Sequence, residues 1–264
     1  MMQPRRFMAA AVGFFLVGGF VGLGSSFAQD VLERKIAVPK LIGQADLDCS
    51  CYVLESAPQL QISSQVRAGE NTMLSDGDLF YADPVPGTEA FVEDSFWSIL
   101  EWGPRVRGQS SPEALGHVVF LRGRARVVRV ESGRAVMEIV KSCGMITTGL
   151  LLVPYEKGEI LTGPELDYDV PFQTENALTG RIVFTENDWT NIIARGHWAL
   201  IDIGADQGLT RGTQMTIFRQ EGKKPPQAVG NTVVVRAGGR WATVKILDSK
   251  DTILMGDFVQ IKPI

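Results

Sequence analysis

The sequence predicts an all-β protein: tandem small, partly open β-barrel modules of SH3-like or OB-like kind, following a signal peptide and an extended leader. Three observations predict it. Short alternating apolar runs separated by turn residues fill the chain after its first thirty positions, and no segment there keeps a helical period over ten residues. One pattern is written twice: residues 133–149 align without a gap against 240–256, with Ala135/Ala242, Ile139/Ile246, Ser142/Ser249, Ile146/Ile253 and Gly149/Gly256 recurring. Glycines stand at the corners between runs, where a turn needs a positive backbone angle or a close approach of chains.

The chain divides in order. Residues 1–28 read as a secretory signal peptide: Arg5-Arg6 supply the positive region, residues 7–24 carry no charge, and Ser26-Phe27-Ala28 places small residues at a cleavage site. An uncleaved anchor is the alternative, since about 18 apolar residues is near the lower limit for crossing a bilayer. Residues 29–71 read as an extended leader with short strand-like pieces, Ile36-Ala37-Val38 to Gly43, Tyr52-Val53-Leu54 and Leu60-Gln61-Ile62.

A first β-module spans 72–154, with strands expected at 78–81, 96–100, 118–121, 125–130 and 135–139. A polar, glycine- and proline-containing linker spans 155–179. A second module spans 180–264, with strands at 181–184, 198–203, 214–219, 232–235, 241–246 and 258–261. Upstream of the shared block, Ala114-Leu115-Gly116 pairs with Ala228-Val229-Gly230, which gives the first copy several extra residues. A module of about 80 residues builds only a modest core, so the copies are expected to pack on each other or on the leader.

Charge narrows the partners. Removing Arg5 and Arg6 from the 26 basic side chains leaves 24 against 30 acidic ones, a net charge of −6 on the exported chain. That argues against nucleic acid, whose binding needs a basic face. The expected location is the periplasm or another exported site, without a stable membrane anchor after cleavage. Cys49, Cys51 and Cys143 are then in an oxidising compartment, where Cys143 with either Cys49 or Cys51 makes a disulfide and one thiol is left over. Three cysteines could instead hold a soft metal, but His117 and His197 are not at ligand spacing, so no metal and no cofactor is expected.

Catalytic motifs are weak. Ile201-Asp202-Ile203-Gly204-Ala205 resembles the active-site strand of retropepsin-like aspartic proteases, yet Ile203 stands where that family has a hydroxyl. The only comparable aspartate in the first module, Asp83, sits in Ala82-Asp83-Pro84. No nucleophile elbow or phosphate loop is present in the sequence. The chain is therefore expected not to be an enzyme. Gly204, Gly208, Gly212, Gly149 and Gly256 read as turn residues; the charges of Asp206 and Arg211 exclude a membrane-helix reading of their four-residue spacing. Of five tryptophans, Trp102 and Trp189 lie outside regular strand patterns and are the candidate contacts for a glycan.

The run from Ile201 through Gly204, Gly208 and Gly212, the strand Met215-Thr216-Ile217-Phe218-Arg219, Val229-Gly230, Ala242-Thr243-Val244-Lys245-Ile246 and the closing Met255-Gly256-Asp257-Phe258-Val259 resemble the C-terminal domain of the flagellar assembly protein T group and similar exported bacterial β-modules. The resemblance implies an envelope-located, non-enzymatic module that contacts other proteins. The expectation is thus a structural or protein-interaction component of the bacterial cell envelope, associated with an envelope or motor assembly. Peptidoglycan or glycan binding through exposed tryptophans is the alternative.

Overall fold

Strict alternation along a strand sends every second side chain to the same face, and two copies of that pattern build this molecule. The computed structural model describes residues 38–66, 73–87, 90–109, 113–167, 178–186, 193–222 and 224–262. The signal segment and Trp189 fall outside the described residues. In chain order the elements are β1 (Lys40–Ile42), the short helix α1 (Gln44–Cys49), β2 (Cys51–Leu54), β3 (Ile62–Gln65), β4 (Leu79–Ala82), β5 (Phe96–Arg107), β6 (Ala114–Glu131), β7 (Arg134–Ser142), β8 (Leu151–Pro154) and β9 (Leu161–Thr162). They continue with β10 (Thr179–Thr185), β11 (Trp198–Ile201), β12 (Gln214–Arg219), β13 (Gln227–Ala237), β14 (Ala242–Ser249) and β15 (Phe258–Ile261). The protein is all-β, and among the described residues no helix is long and apolar enough to cross a membrane.

The second module is a closed barrel in the order β10-β11-β14-β13-β12-β15. The first module is a sheet in the order β3-β4-β7-β6-β5-β8, with β2 added to β6. Its two end strands meet: the Ile62 amide donates to the Leu150 carbonyl and the Gly149 amide to the Ile62 carbonyl, both at 2.8 Å. In the second barrel the Ile182 amide donates to Asp257 and the Gly256 amide to Ile182, at 2.9 and 2.8 Å. The seams are the same hydrogen bonds.

Register makes the duplication complete. In the β6–β7 pair Gly123 faces Ser142, Ala125 faces Ile139 and Val130 faces Ala135; in β13–β14 Gly230 faces Ser249, Thr232 faces Ile246 and Ala237 faces Ala242. Both ladders carry bulges at the same two places, Arg124/Ala125 with Val127/Arg129 and Asn231/Thr232 with Val234/Arg236. Gly230 is therefore the counterpart of Gly123, not of Gly116 as sequence similarity paired them. The extra residues of the first copy do not interrupt the shared block. They extend β5 and β6 beyond it, so the two strands expected at 118–121 and 125–130 are one strand of 18 residues.

The two cores are built from different side chains at matching positions. Phe80 and Ala82 of β4 correspond to Ala199 and Ile201 of β11, and Trp97 of β5 corresponds to Met215 of β12. All six are buried. Large and small residues have changed places across the barrel, which keeps density close to that of other protein interiors.

The leader is not a separate extension. β2 and β3 belong to the first sheet, and β1 pairs with β9 of the linker. The physical reason is the overhang of β5 and β6: residues 117–120 of β6 pair with β5 on one side and would leave an open ladder on the other, which β2 fills. Cys51, Val53, Val106, Leu115 and Val118 of this overhang then pack against Phe184 and Leu200 of the second barrel.

Candidate interaction surface

The outward faces of the two modules have opposite fates. In the second barrel Val233, Val235 and Leu247 point outward and are nevertheless buried, because Leu41, Ile42 and Leu47 of β1 and α1, together with Leu161 of β9, lie over them. The cover is bolted down electrostatically. Asp46 accepts from the Lys245 ammonium at 2.7 Å, from the Trp198 indole at 3.0 Å and from the Gly43 amide at 2.8 Å. Gln214 clasps the linker from the other side, donating to Pro164 and accepting from the Leu166 amide.

The same positions of the first module are Arg126, Val128 and Val140, with Phe96 in place of Gln214. Phe96 is 41% exposed, and Val128 and Val140 are each 38% exposed, with Val130 beside them at 36%. Where Lys245 stands in the second barrel, Glu138 pairs with Arg126 at 2.9 Å. Gly77, Phe96, Arg126, Glu138 and Val140 border a shallow depression of about 390 Å³. This is a partly apolar ridge on which Arg126 pairs with both Glu138 and Asp94, at the place where the sister module carries a docked segment. Apolar patches of this kind mark interaction sites.

α1 bridges the modules. Asp46 reaches the second barrel, while Asp48 meets Arg124 at 3.4 Å and the Tyr155 hydroxyl at 3.0 Å. Cys49 forms a disulfide with Cys143, Cα to Cα 5.4 Å. Of the two pairings open in the sequence the structure has this one, and Cys51 stays a buried thiol. Burial pushes its pKa up to about 12, helped by nearby Glu186, so it is a packing group and not a nucleophile.

Asp202 is buried with both oxygens occupied. Oδ1 accepts from the Arg181 amide at 2.6 Å and Oδ2 from the Gln109 amide at 3.0 Å. Its counterpart by register is Asp83, which pairs instead with Arg134 at 2.5 Å. Asp202 thus ties the tip of the β5–β6 overhang to the second barrel, and no arrangement of two facing carboxylates is formed by this pair's hydrogen bonds. Among the described residues no group of three or more His, Cys, Asp or Glu could hold a metal.

The remaining sequence candidates separate. Trp102 is half-buried and stacks on His117, ring centroids 4.7 Å apart, in the overhang. Trp97 is a core residue, and Trp241 stacks near Tyr52 at 6.4 Å. Trp102 and Trp241 both pack against the cluster of Tyr52, Leu100, Val119 and Leu121, while Trp97 lies in the first module's core. Gly208, Gly212, Gly149 and Gly256 all have positive φ near 90°, whereas Gly204 is extended and lies tight against the backbone of Gly238 and Trp241. Sequence reading missed Phe96 and Val140. A signal existed in Val127-Val128-Arg129-Val130, where apolar residues on both faces of an otherwise alternating strand mark a second buried or docking face.

No protein-family model matches the chain, and no curated protein matches it.

Proposed function

We propose that the chain is a non-catalytic structural component of the bacterial cell envelope that docks another protein on the first module. The observation that carries this reading is the uncovered ridge of Phe96, Val128 and Val140, set against its covered counterpart in the second barrel. The occupant that fits is a short amphipathic segment of an envelope protein, presenting apolar side chains to the ridge as Leu41, Ile42 and Leu47 do next door.

Export is supported by the Cys49–Cys143 bond, since disulfides persist in oxidising compartments. A non-catalytic role is supported by the use of the buried acids. Asp46, Asp48, Asp202 and Asp257 each hold a cation or a backbone amide in place. The resemblance of the second module to flagellar assembly modules adds an envelope or motor-associated setting as the first place to look.

The test is crosslinking in cells that express the tagged full chain, followed by mass spectrometry of what copurifies with residues 29–264. A few stoichiometric envelope proteins, lost when Val140→Asp is introduced, support the reading. Muropeptides or glycan without protein partners would replace it with the glycan-binding alternative.

A further inference from the structure

The second barrel carries a groove of about 410 Å³ where residues 156–158 pass beside the turn at Thr210 and Arg211 and the end of β13. Ala205 and Ala237 give it a small apolar side, with Leu209 and Val235 buried behind them, and Lys157, Arg211 and Arg236 make it basic. Arg236 is held in place by the Tyr52 ring, 4.6 Å from its guanidinium carbon, and its only described acid neighbour at ion-pair range is Glu156 at 3.6 Å. Glu156 is 84% exposed. Arg211 donates through Nε to the Val235 carbonyl at 2.9 Å, and among the described residues no carboxylate lies within ion-pair distance of it. Gly158 rides on that guanidinium so closely that a Cβ there would come within 2.6 Å of a terminal nitrogen.

Two guanidiniums are thus fixed near one another, with exposed Glu156 paired to Arg236 and Glu159 near enough to Arg211 to oppose part of the lowering of its pKa. Burial first, and the positive charge of Arg236 second, push the pKa of Arg211 below the usual arginine range. The first module shows that this excess charge is not demanded by the fold. By register its Arg129 corresponds to Arg236, but Glu93 stands where the second barrel has Arg211, so that pair of positions is neutral.

We propose that this groove is a binding site for a carboxylate-bearing ligand, gripped by Arg211 and Arg236, with its hydrocarbon part on Ala205 and Ala237. Arginine forks match carboxylates bidentately, and the apolar lining suits an organic acid better than a bare inorganic ion. The carboxylate could belong to a peptide end or to an acidic sugar. The site stands whether or not the ridge of the first module docks a protein.

The test is an NMR titration of residues 29–264 at low salt with N-acetyl-alanine, its neutral amide, N-acetylmuramic acid and inorganic phosphate, following the Trp241 indole and arginine Nε signals. Binding of either acid, with no response to the amide, is expected. N-acetyl-alanine alone would assign a peptide end, and N-acetylmuramic acid alone an acidic sugar. Arg211→Gln and Arg236→Gln should each weaken binding at least about tenfold, the scale of one lost charge-assisted hydrogen bond. Glu156→Gln, at an exposed position that does not test folding, should tighten it. Silence from both acids, phosphate binding as tightly as they do, or acid binding indifferent to all three substitutions would each overturn the proposal.

Discussion

The first module and the second barrel share the β6–β7 and β13–β14 register, both of its bulges and the seam hydrogen bonds, yet one wears a cover on its outer face and the other does not. The difference lies in a few outward positions. Val233 and Leu247 replace Arg126 and Val140, and Lys245 replaces Glu138, so the second barrel offers an apolar bed with a cation for Asp46. The first offers a partly apolar bed whose ion pair is already satisfied within itself. A duplicated fold has kept its frame and changed its surface: one copy carries a cover on its outer face, and the other leaves Phe96, Val128 and Val140 partly exposed.

The sharpest way to break this comparison is to make the same change in both copies. Leu247→Ala should lower stability by about 2–5 kcal/mol, because a buried leucine loses its contacts and leaves a cavity under the cover. Val140→Ala, its counterpart at 38% exposure, should change stability by less than about 1 kcal/mol. Denaturant titration of the two variants checks both. Equal losses would mean that the ridge is buried in solution and is not a docking face.

The disulfide comes next, because it anchors the covering helix to the first module. Cys49→Ser with Cys143→Ser, or reduction, should cost about 2–4 kcal/mol and loosen α1 from the second barrel as well. Hydrogen exchange at the Trp198 indole, which Asp46 holds, reads the second effect. Thiol labelling of the oxidised protein should find one free cysteine, and only after unfolding, since Cys51 is buried and its thiol resists ionisation.

The paired aspartates give a smaller contrast. Asp202→Ala leaves the Arg181 and Gln109 amides without their acceptor in a partly buried place, at a cost of about 1–3 kcal/mol. Asp83→Ala removes a half-exposed pair with Arg134 and should cost no more than about 1 kcal/mol. Thermal unfolding of the two variants decides between a structural tie at Asp202 and a residue spared for chemistry.

The all-β class and the barrel-like modules were legible because alternation and turn glycines are local properties. The repeat was legible too, but its register was not. Sequence similarity pairs Gly116 with Gly230, and only the ladder shows that Gly123 takes that place. The leader was misread for the opposite reason. Cys51-Tyr52-Val53-Leu54 is too short and too far from β6 in sequence to announce its partner, and its pairing is dictated by an overhang that exists only in three dimensions. The ridge was hidden in the same way: Val140 reads as one more core residue until its counterpart Leu247 is seen beneath a cover. Spacing told which cysteines were present, and the helix between the modules decides which two meet.

The last contrast, in pH dependence, sits at the end of the last strand of each copy. Tyr155 follows β8, and by register Lys262 follows β15, where its ammonium donates to the Leu166 and Asp167 carbonyls. Burial lowers the pKa of Lys262 from 10.5 to about 8, against the opposing pull of Asp167 and Glu165. The folded chain therefore releases this proton near pH 8, while the unfolded chain holds it up to the ordinary lysine range. Between those two values the unfolded state binds more protons, so stability contributed by this group rises with pH there and is flat below about 8. Lys262→Met should remove that slope, while a change at Tyr155 should not touch it. Denaturation midpoints of the parent and the variant across pH 7–10 give the comparison, and parallel curves would show that Lys262 stays charged against its carbonyls throughout.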